Sequence, residues 1–238
     1  MISIVIPAYN EEARVGNTLD VMLAWLDAQR EDYEVIVADD GSRDRTIAVV
    51  EERIARHPRL RVLPLKPNRG KGAAVRAGVL AARGDEILFS DADLATPIEE
   101  LDNLRAAMKR DGADLAIASR ALPDSHIQTR QHPVRELMGR TFNIILRSAV
   151  MGGIKDTQCG FKLFKGDVGR TLFGEATIDG FAFDVEILLL AKGRFKVTEV
   201  PVVWRHVEQS KVSPGRDAAL MLWDVVKMSA RRRLRRRP

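Results

Sequence analysis

An α/β fold with a mainly parallel central sheet flanked by helices is predicted by three features of the sequence. Short apolar, β-rich runs recur through the first 120 residues, amphipathic stretches separate them, and polar Asp- and Gly-containing tips follow the apolar runs. The runs at 2–6, 34–38, 60–65, 86–89 and 114–119 are almost continuously hydrophobic, as expected of strands covered on both faces. Between them, 11–28, 44–56, 70–82 and 97–109 carry apolar residues three and four apart, the spacing of a helix with one buried face. Asp44 suits a helix N-cap and Pro97 a first helical turn. Strand–helix–strand repetition implies right-handed crossovers and a ligand crevice at the carboxyl ends of the strands. The tips at 7–11, 39–42, 68–72 and 91–93 fall there.

After Arg120 the rhythm changes. Residues 121–130 read as a polar loop and 134–150 as an amphipathic helix. A glycine turn leads to DTQCGFKLF, 182–191 reads as a helix, and 195–204 as a final pair of short strands. A loop over 206–215 precedes a helix from about Asp217 into an arginine-rich end. The expected organisation is one domain over 1–216 and a terminal segment over 217–238.

A chain of 238 residues can bury roughly 70% of its unfolded surface without a disulfide or metal staple. The single cysteine, Cys159, excludes an internal disulfide and points to a reducing compartment. No apolar run approaches the ~18 residues of a membrane span, and MISIVIPAYNEE reaches acidic residues too early for a secretory signal. The net charge of +5 is local. Arg231, Arg232, Arg233, Arg235, Arg236 and Arg237 supply six positive charges, and without them 32 basic against 33 acidic residues leave −1. A balanced body argues against a specific nucleic-acid-binding domain.

Three motifs carry chemistry. In SDADL, Asp91 and Asp93 end an apolar run; residues two apart in extended chain project to the same side, roughly 6.5–7 Å apart. With a slight turn both carboxylates can reach one hard cation such as Mg²⁺ or Mn²⁺. In VIVADDGSRDRT, Asp39 and Asp40 end a second run, and a carboxylate there suits the N–H edge of a nucleobase or ribose hydroxyls. In NRGKGAAVRAG, two glycines flank Lys71 at a helix start, where free N–H groups favour a diphosphate. It is neither a Walker A loop nor a dinucleotide fingerprint, since Leu65, Gly72 and Val75 stand at defining positions.

In this order, and with VIPAYNEE closing the first run, these motifs resemble family 2 glycosyltransferases of the GT-A fold over essentially the whole chain. The resemblance implies that Pro7, Ala8, Tyr9, Glu11, Asp39, Asp40, Lys71, Asp91 and Ala92 contact a nucleotide sugar. It also implies that Asp91 and Asp93 hold Mg²⁺ or Mn²⁺, with His206 a third candidate ligand. Residues 1–120 then form the nucleotide-sugar half and 121–216 the acceptor half. The stretches IKDTQCGFKLF, GFAFDVEILLLA and VPVVW look like dolichyl-phosphate glucosyltransferases, and less closely like dolichyl-phosphate mannose synthases. That likeness implies a polyprenyl phosphate acceptor and, as donor, UDP-glucose or alternatively GDP-mannose. The usual E-G-S-K appears as Glu208-Gln209-Ser210-Lys211, and the N-terminal anchor common in glucosyl members is not expected from this sequence.

A phosphate acceptor is a nucleophile without a strong base, because its second pKa lies near ~6. Candidates for holding it are Arg120, Arg130, Arg135 and Lys211, and the resemblance implies that Gln158 and Asp156 line the acceptor side. Asp156 could steer it or weakly accept a proton, which makes Asp93, Arg120 and Asp156 the candidate catalytic residues. Transfer to a glycan hydroxyl remains an alternative that would need a general base. Asp184 and Glu186 fit a site role or helix capping equally, and Cys159 reads as a small buried hydrophobe. Leu220, Met221, Trp223 and Val226 ahead of the arginines form an amphipathic end suited to an anionic, cytoplasmic membrane surface. Oligomeric state has no signature.

Overall fold

In the computed structural model, which describes residues 1–127, 153–205 and then Met221, Trp223 and Asp224, the apolar runs assemble into one seven-stranded sheet. Strands β1 (Ile2–Ala8), β2 (Tyr33–Asp39), β3 (Leu60–Pro64), β4 (Glu86–Ser90) and β5 (Leu115–Ser119) all lie where the apolar runs predict them. They alternate with α1 (Val15–Gln29), α2 (Thr46–Ile54), α3 (Lys71–Ala81) and α4 (Glu100–Asp111). Two helices begin later than expected. Residues 11–14 form a turn in which Arg14 N–H donates to the Glu11 carbonyl, while Glu11 N–H donates to Thr46 Oγ1 at 2.7 Å. Pro97 opens a tight turn of three-residue bonds rather than the first turn of α4. Asp44 does stand at the start of α2, accepting the Thr46 N–H at 2.9 Å.

The second half departs further from expectation. It holds β6 (His126–Ile127), β7 (Phe161–Lys165), α5 (Gly166–Glu175), α6 (Phe183–Ala191), β8 (Val197–Pro201) and β9 (Val203–Trp204). The sheet order is β3-β2-β1-β4-β7-β5-β8, all neighbours parallel except β7, which runs antiparallel between β4 and β5. Neither β7 nor α5 is anticipated, because a five-residue strand with two lysines has a weak apolar signal. The terminal strands do not pair with each other: β8 extends the main sheet beside β5, and β9 pairs with β6 in a separate two-stranded sheet. The predicted helix over 134–150 and the helix from Asp217, apart from the three residues noted, lie outside the described residues.

Strand alternation sends Ile2, Ile4 and Ile6 to one face and Val5 to the other. The first face packs on α1, α2 and α4, the second on α3, α5 and α6. The carboxyl ends of β1, β2, β4 and β5 and the amino end of β7 share one edge, and the order of the strands reverses between β1 and β4. A crevice opens at such a reversal.

Candidate active site

The tips of β1 and β2 are laced together. Asn10 N–H donates to Ser42 Oγ at 2.9 Å, Arg43 N–H to Asn10 Oδ1 at 2.8 Å, and Asp40 N–H to the Ala8 carbonyl at 2.8 Å. The adjacent carboxylates Asp39 and Asp40 then do different things. Asp40 accepts Arg69 N–H at 2.9 Å, Gly70 N–H at 2.7 Å and Asn68 Nδ2 at 2.8 Å, so both its oxygens organise the 68–70 loop. Burial raises its pKa, against the pull of those backbone donors. Asp39 spends Oδ2 on the N–H groups of Gly41 and Ser42, while its buried Oδ1 has no hydrogen-bond partner. Of the pair, Asp39 is therefore the one with an oxygen left for a ligand. Pro7 and Ala8 are buried in β1 itself, and Tyr9 is half-buried beyond its end.

At the reversal, Lys71 begins α3 and Asp91 follows β4, and Lys71 Nζ lies 2.6 Å from Asp91 Oδ1. Burial opposes the charge on Lys71, but Asp91 and Asp184 more than offset it and raise its pKa. Asp93 accepts the Ala95 N–H at 3.0 Å; burial and then the neighbouring Asp91 push its pKa up. Ala92 between them is buried and its carbonyl takes the Thr18 hydroxyl at 2.6 Å. Glu11 is turned toward Arg14, whose Nη2 it binds at 2.8 Å. That hydrogen bond, offset by burial, and the fields of Glu11, Asp93 and Asp91 raise the Arg14 pKa, so Glu11 reaches the site through Arg14.

Gly160 sets where Asp91 sits. Its carbonyl accepts the Asp91 N–H at 2.9 Å, and a Cβ there would stand 2.0 Å from Asp91 Oδ2. Gly160→Ala should displace this carboxylate and weaken Mn²⁺ binding by about 10–100-fold, the usual cost of losing a ligand's support. Isothermal titration in the presence of UDP measures it, and an unchanged affinity would detach Gly160 from the site.

Behind Asp91, Lys162 of β7 is buried between Phe89 of β4 and Ile117 of β5. Its ammonium donates to the Cys159 carbonyl at 2.6 Å and pairs with Asp184 of α6. Burial raises the Asp184 pKa despite Lys162 and Lys71. Both ammonium groups approach the Phe89 ring, Lys71 at 5.5 Å and Lys162 at 5.7 Å. Asp184 is thus spent on the Lys162 ion pair rather than on capping the helix. Glu186 instead accepts the N–H groups of Thr177 and Ile178 and shapes the 177–180 loop. Cys159 is buried with its thiol pushed up to about 11, mainly by burial.

On the other side Arg120 ends β5 and forms a forked pair with buried Asp156, Nε at 2.7 Å and Nη2 at 2.9 Å. Asp156 also accepts the N–H groups of Arg120 at 3.0 Å and Gln158 at 3.1 Å. Burial works against this carboxylate, yet Arg120 holds its pKa down at about 2. Arg120 in turn sits 5.6 Å from the Trp204 ring centroid. Glu199 of β8 receives the N–H groups of Lys155 and Asp156 and anchors the segment. Gln158 Nε2 lies 3.8 Å from Met221 Sδ, so the C-terminal segment reaches this side of the crevice. Arg130, Arg135, His206 and Lys211 lie outside the described residues.

Lys162, Arg14 and Glu199 are not anticipated from sequence. A lysine held between phenylalanines in FKLFK is the signal that could have found the first. Arg14 three residues after Glu11 is the signal for the second.

The site fits a divalent cation of the Mg²⁺ or Mn²⁺ kind. Its donors are carboxylate oxygens, and Asp91 Oδ1 is buried with no hydrogen-bond partner beyond the Lys71 ion pair. Among the described residues no group of three His, Cys, Asp or Glu could hold an ion by itself. Two carboxylates completed by substrate phosphate and water are the usual shell for such an ion.

The sequence profile described as Glycosyl transferase family 2 matches residues 3–173. The chain belongs to this family. It is 40% identical over 245 residues to dolichyl-phosphate beta-glucosyltransferase of Drosophila melanogaster, covering 93% of this chain and 74% of that protein. A Trichomonas vaginalis dolichyl-phosphate beta-glucosyltransferase is 38% identical over 218 residues, 87% of this chain and 65% of its relative. Among solved structures, Mycobacterium tuberculosis glucosyl-3-phosphoglycerate synthase with Mn²⁺, UDP-glucose and phosphoglyceric acid superposes with a TM-score of 0.71 at 22% identity, over 97% of this chain and 80% of that one. At that identity the likeness speaks for the fold alone, and the fold is GT-A. As a family 2 member the chain is a glycosyltransferase.

Proposed function

We propose that this glycosyltransferase moves glucose from UDP-glucose to a polyprenyl phosphate, with inversion at the anomeric carbon. The observation that carries the acceptor class is the state of Asp156. A carboxylate held near about 2 by Arg120 is no base at neutral pH. Asp184 is committed to Lys162 and Glu199 to two backbone N–H groups. An acceptor that arrives already anionic needs no base, and a phosphate monoester above about pH 6 does so. The names of the relatives support glucose and dolichyl phosphate.

In this reading Asp39 Oδ1 accepts from the uracil edge, and Tyr9 flanks the nucleoside. Lys71 and the N–H groups at the start of α3 face the diphosphate. Asp91 and Asp93 would hold the cation, which as a Lewis acid stabilises the departing nucleoside diphosphate. Arg120, its fork fixed by Asp156, and Gln158 orient the acceptor phosphate for in-line attack and offset repulsion between the two anions. Arg130, Arg135 and Lys211 are assigned to the same phosphate on sequence grounds.

The acceptor resides in a bilayer, so the enzyme must reach its surface. No helix among the described residues is long and apolar enough to cross a membrane. Met221 is buried while Trp223 is 59% exposed, and the arginines beyond would each add about 1 kcal/mol of attraction to an anionic surface. The test is lipid-linked product formation from UDP-glucose, GDP-mannose and UDP-galactose, with polyprenyl phosphate embedded in anionic vesicles. UDP-glucose should turn over fastest, and removing 231–238 should lower both vesicle co-sedimentation and rate. Preference for another donor overturns the sugar assignment; activity only with glycan acceptors overturns the acceptor.

A further inference from the structure

We propose that Lys71 is a built-in counter-cation that occupies Asp91 until a nucleotide diphosphate draws its ammonium away, which makes divalent-cation binding depend on the nucleotide. The inference rests on the functional reading above and adds an order of binding to it. Lys71 Nζ lies 2.6 Å from Asp91 Oδ1, a buried oxygen with no hydrogen-bond partner beyond this ion pair, so ammonium and metal compete for one atom.

The surroundings let the side chain leave while the backbone stays. A Cβ on Gly70 would come within 2.5 Å of the Asp179 carbonyl oxygen, and one on Gly72 within 2.5 Å of the Ile178 carbonyl oxygen. The backbone on both sides of Lys71 is therefore wedged against the 178–180 loop, and Glu186 holds that loop in place. Asp184 and Asp93 also act on Lys71, but Asp184 is already paired with Lys162 and Asp93 makes no direct contact with the ammonium among the described residues. When Lys71 moves, Asp91 is the carboxylate that loses a direct ion-pair partner among the described residues, and the incoming cation replaces that partner. The exchange is balanced in charge: the ammonium meets the diphosphate and the cation meets Asp91 and Asp93. Two ligands that each clear the way for the other bind with positive coupling.

Mn²⁺ titrations followed by the loss of the free-ion electron paramagnetic resonance signal test this with and without UDP. The wild-type protein should bind Mn²⁺ weakly alone and about tenfold tighter with UDP, within the usual range of such couplings. Lys71→Met should bind Mn²⁺ alone about tenfold tighter than wild type and gain less from UDP than wild type does, since the diphosphate oxygens still complete the ion's shell. Lys71→Arg, which keeps the charge, should behave as wild type. Circular dichroism identifies a misfolded Lys71→Met, in which case Lys71→Gln takes its place. If the neutral variant binds Mn²⁺ no tighter than wild type, or the arginine variant binds as tightly as the neutral one, the counter-cation role is overturned. A wild-type protein that binds no Mn²⁺ even with UDP overturns the metal reading itself, which separates the two failures.

Discussion

Asp93→Asn is expected to lower glucosyl transfer by about a thousandfold, the scale of losing a Lewis acid worth several kcal/mol to the leaving group. The same change should raise the melting temperature of the metal-free protein. Burial first and Asp91 second raise the Asp93 pKa, so in the folded state the charged form is disfavoured. A raised carboxylate contributes stability below its unfolded pKa and loses it as pH rises through the folded value. At neutral pH the folded protein bears that cost, and a neutral amide removes it. Melting curves with and without Mn²⁺ and UDP separate the two effects: ligands should raise the melting temperature of wild type and leave Asp93→Asn nearly unmoved. Undiminished transfer, or ligand stabilisation that survives in the variant, would end the metal role of Asp93.

The second large effect is at Asp156. Asp156→Ala leaves the Arg120 guanidinium buried without its partner and should cost about 3–5 kcal/mol of stability. The pH dependence has the opposite sign to that of Asp93. Arg120 holds the pKa at about 2 against a model-peptide value of 3.8. The stabilisation is thus fully present above about pH 4 and disappears as pH falls toward about 2, an amount of about 2 kcal/mol. Urea unfolding at pH 7 and pH 3 should show the loss of about half of that acid-sensitive portion in wild type and none of it in Asp156→Asn. In kinetics, Asp156→Asn should raise KM for polyprenyl phosphate and leave the rise in rate near about pH 6, which belongs to the acceptor phosphate. If the variant instead loses kcat by orders of magnitude and its pH profile flattens, Asp156 is a base and the acceptor is a hydroxyl.

The first half was legible because each of its strands is covered on both faces. Runs such as ISIVIPA and YEVIVAD leave little choice but a buried parallel strand, and their tips must then meet at one edge. Asp39, Lys71, Asp91 and Asp93 could therefore be assigned to one crevice before any coordinates. FKLFK was not legible as β7, since its central pairing is with β4 and β5, strands more than forty residues away in the chain. Nor does the terminal stretch reveal that β8 and β9 belong to different sheets, because a short strand takes whichever edge the rest of the fold offers.

Local chemistry, then, was enough to determine the α/β alternation, the motif-bearing strand ends and the charge of the terminal tail, while the family was legible as a resemblance of the motifs in their order. Which carboxylate is available and which is spent was decided only by tertiary structure. Asp39 and Asp40 are neighbours with identical side chains, yet one keeps a free oxygen and the other is consumed by the 68–70 backbone. Asp156 is held ionised because Arg120 is brought to it across 36 residues, and Lys162 meets Asp184 because α6 packs on the same sheet face as α3. The physical reason is common to all three. A residue type fixes what a side chain can donate or accept, whereas desolvation and partner charge, which set its protonation and availability, come from segments distant in the chain.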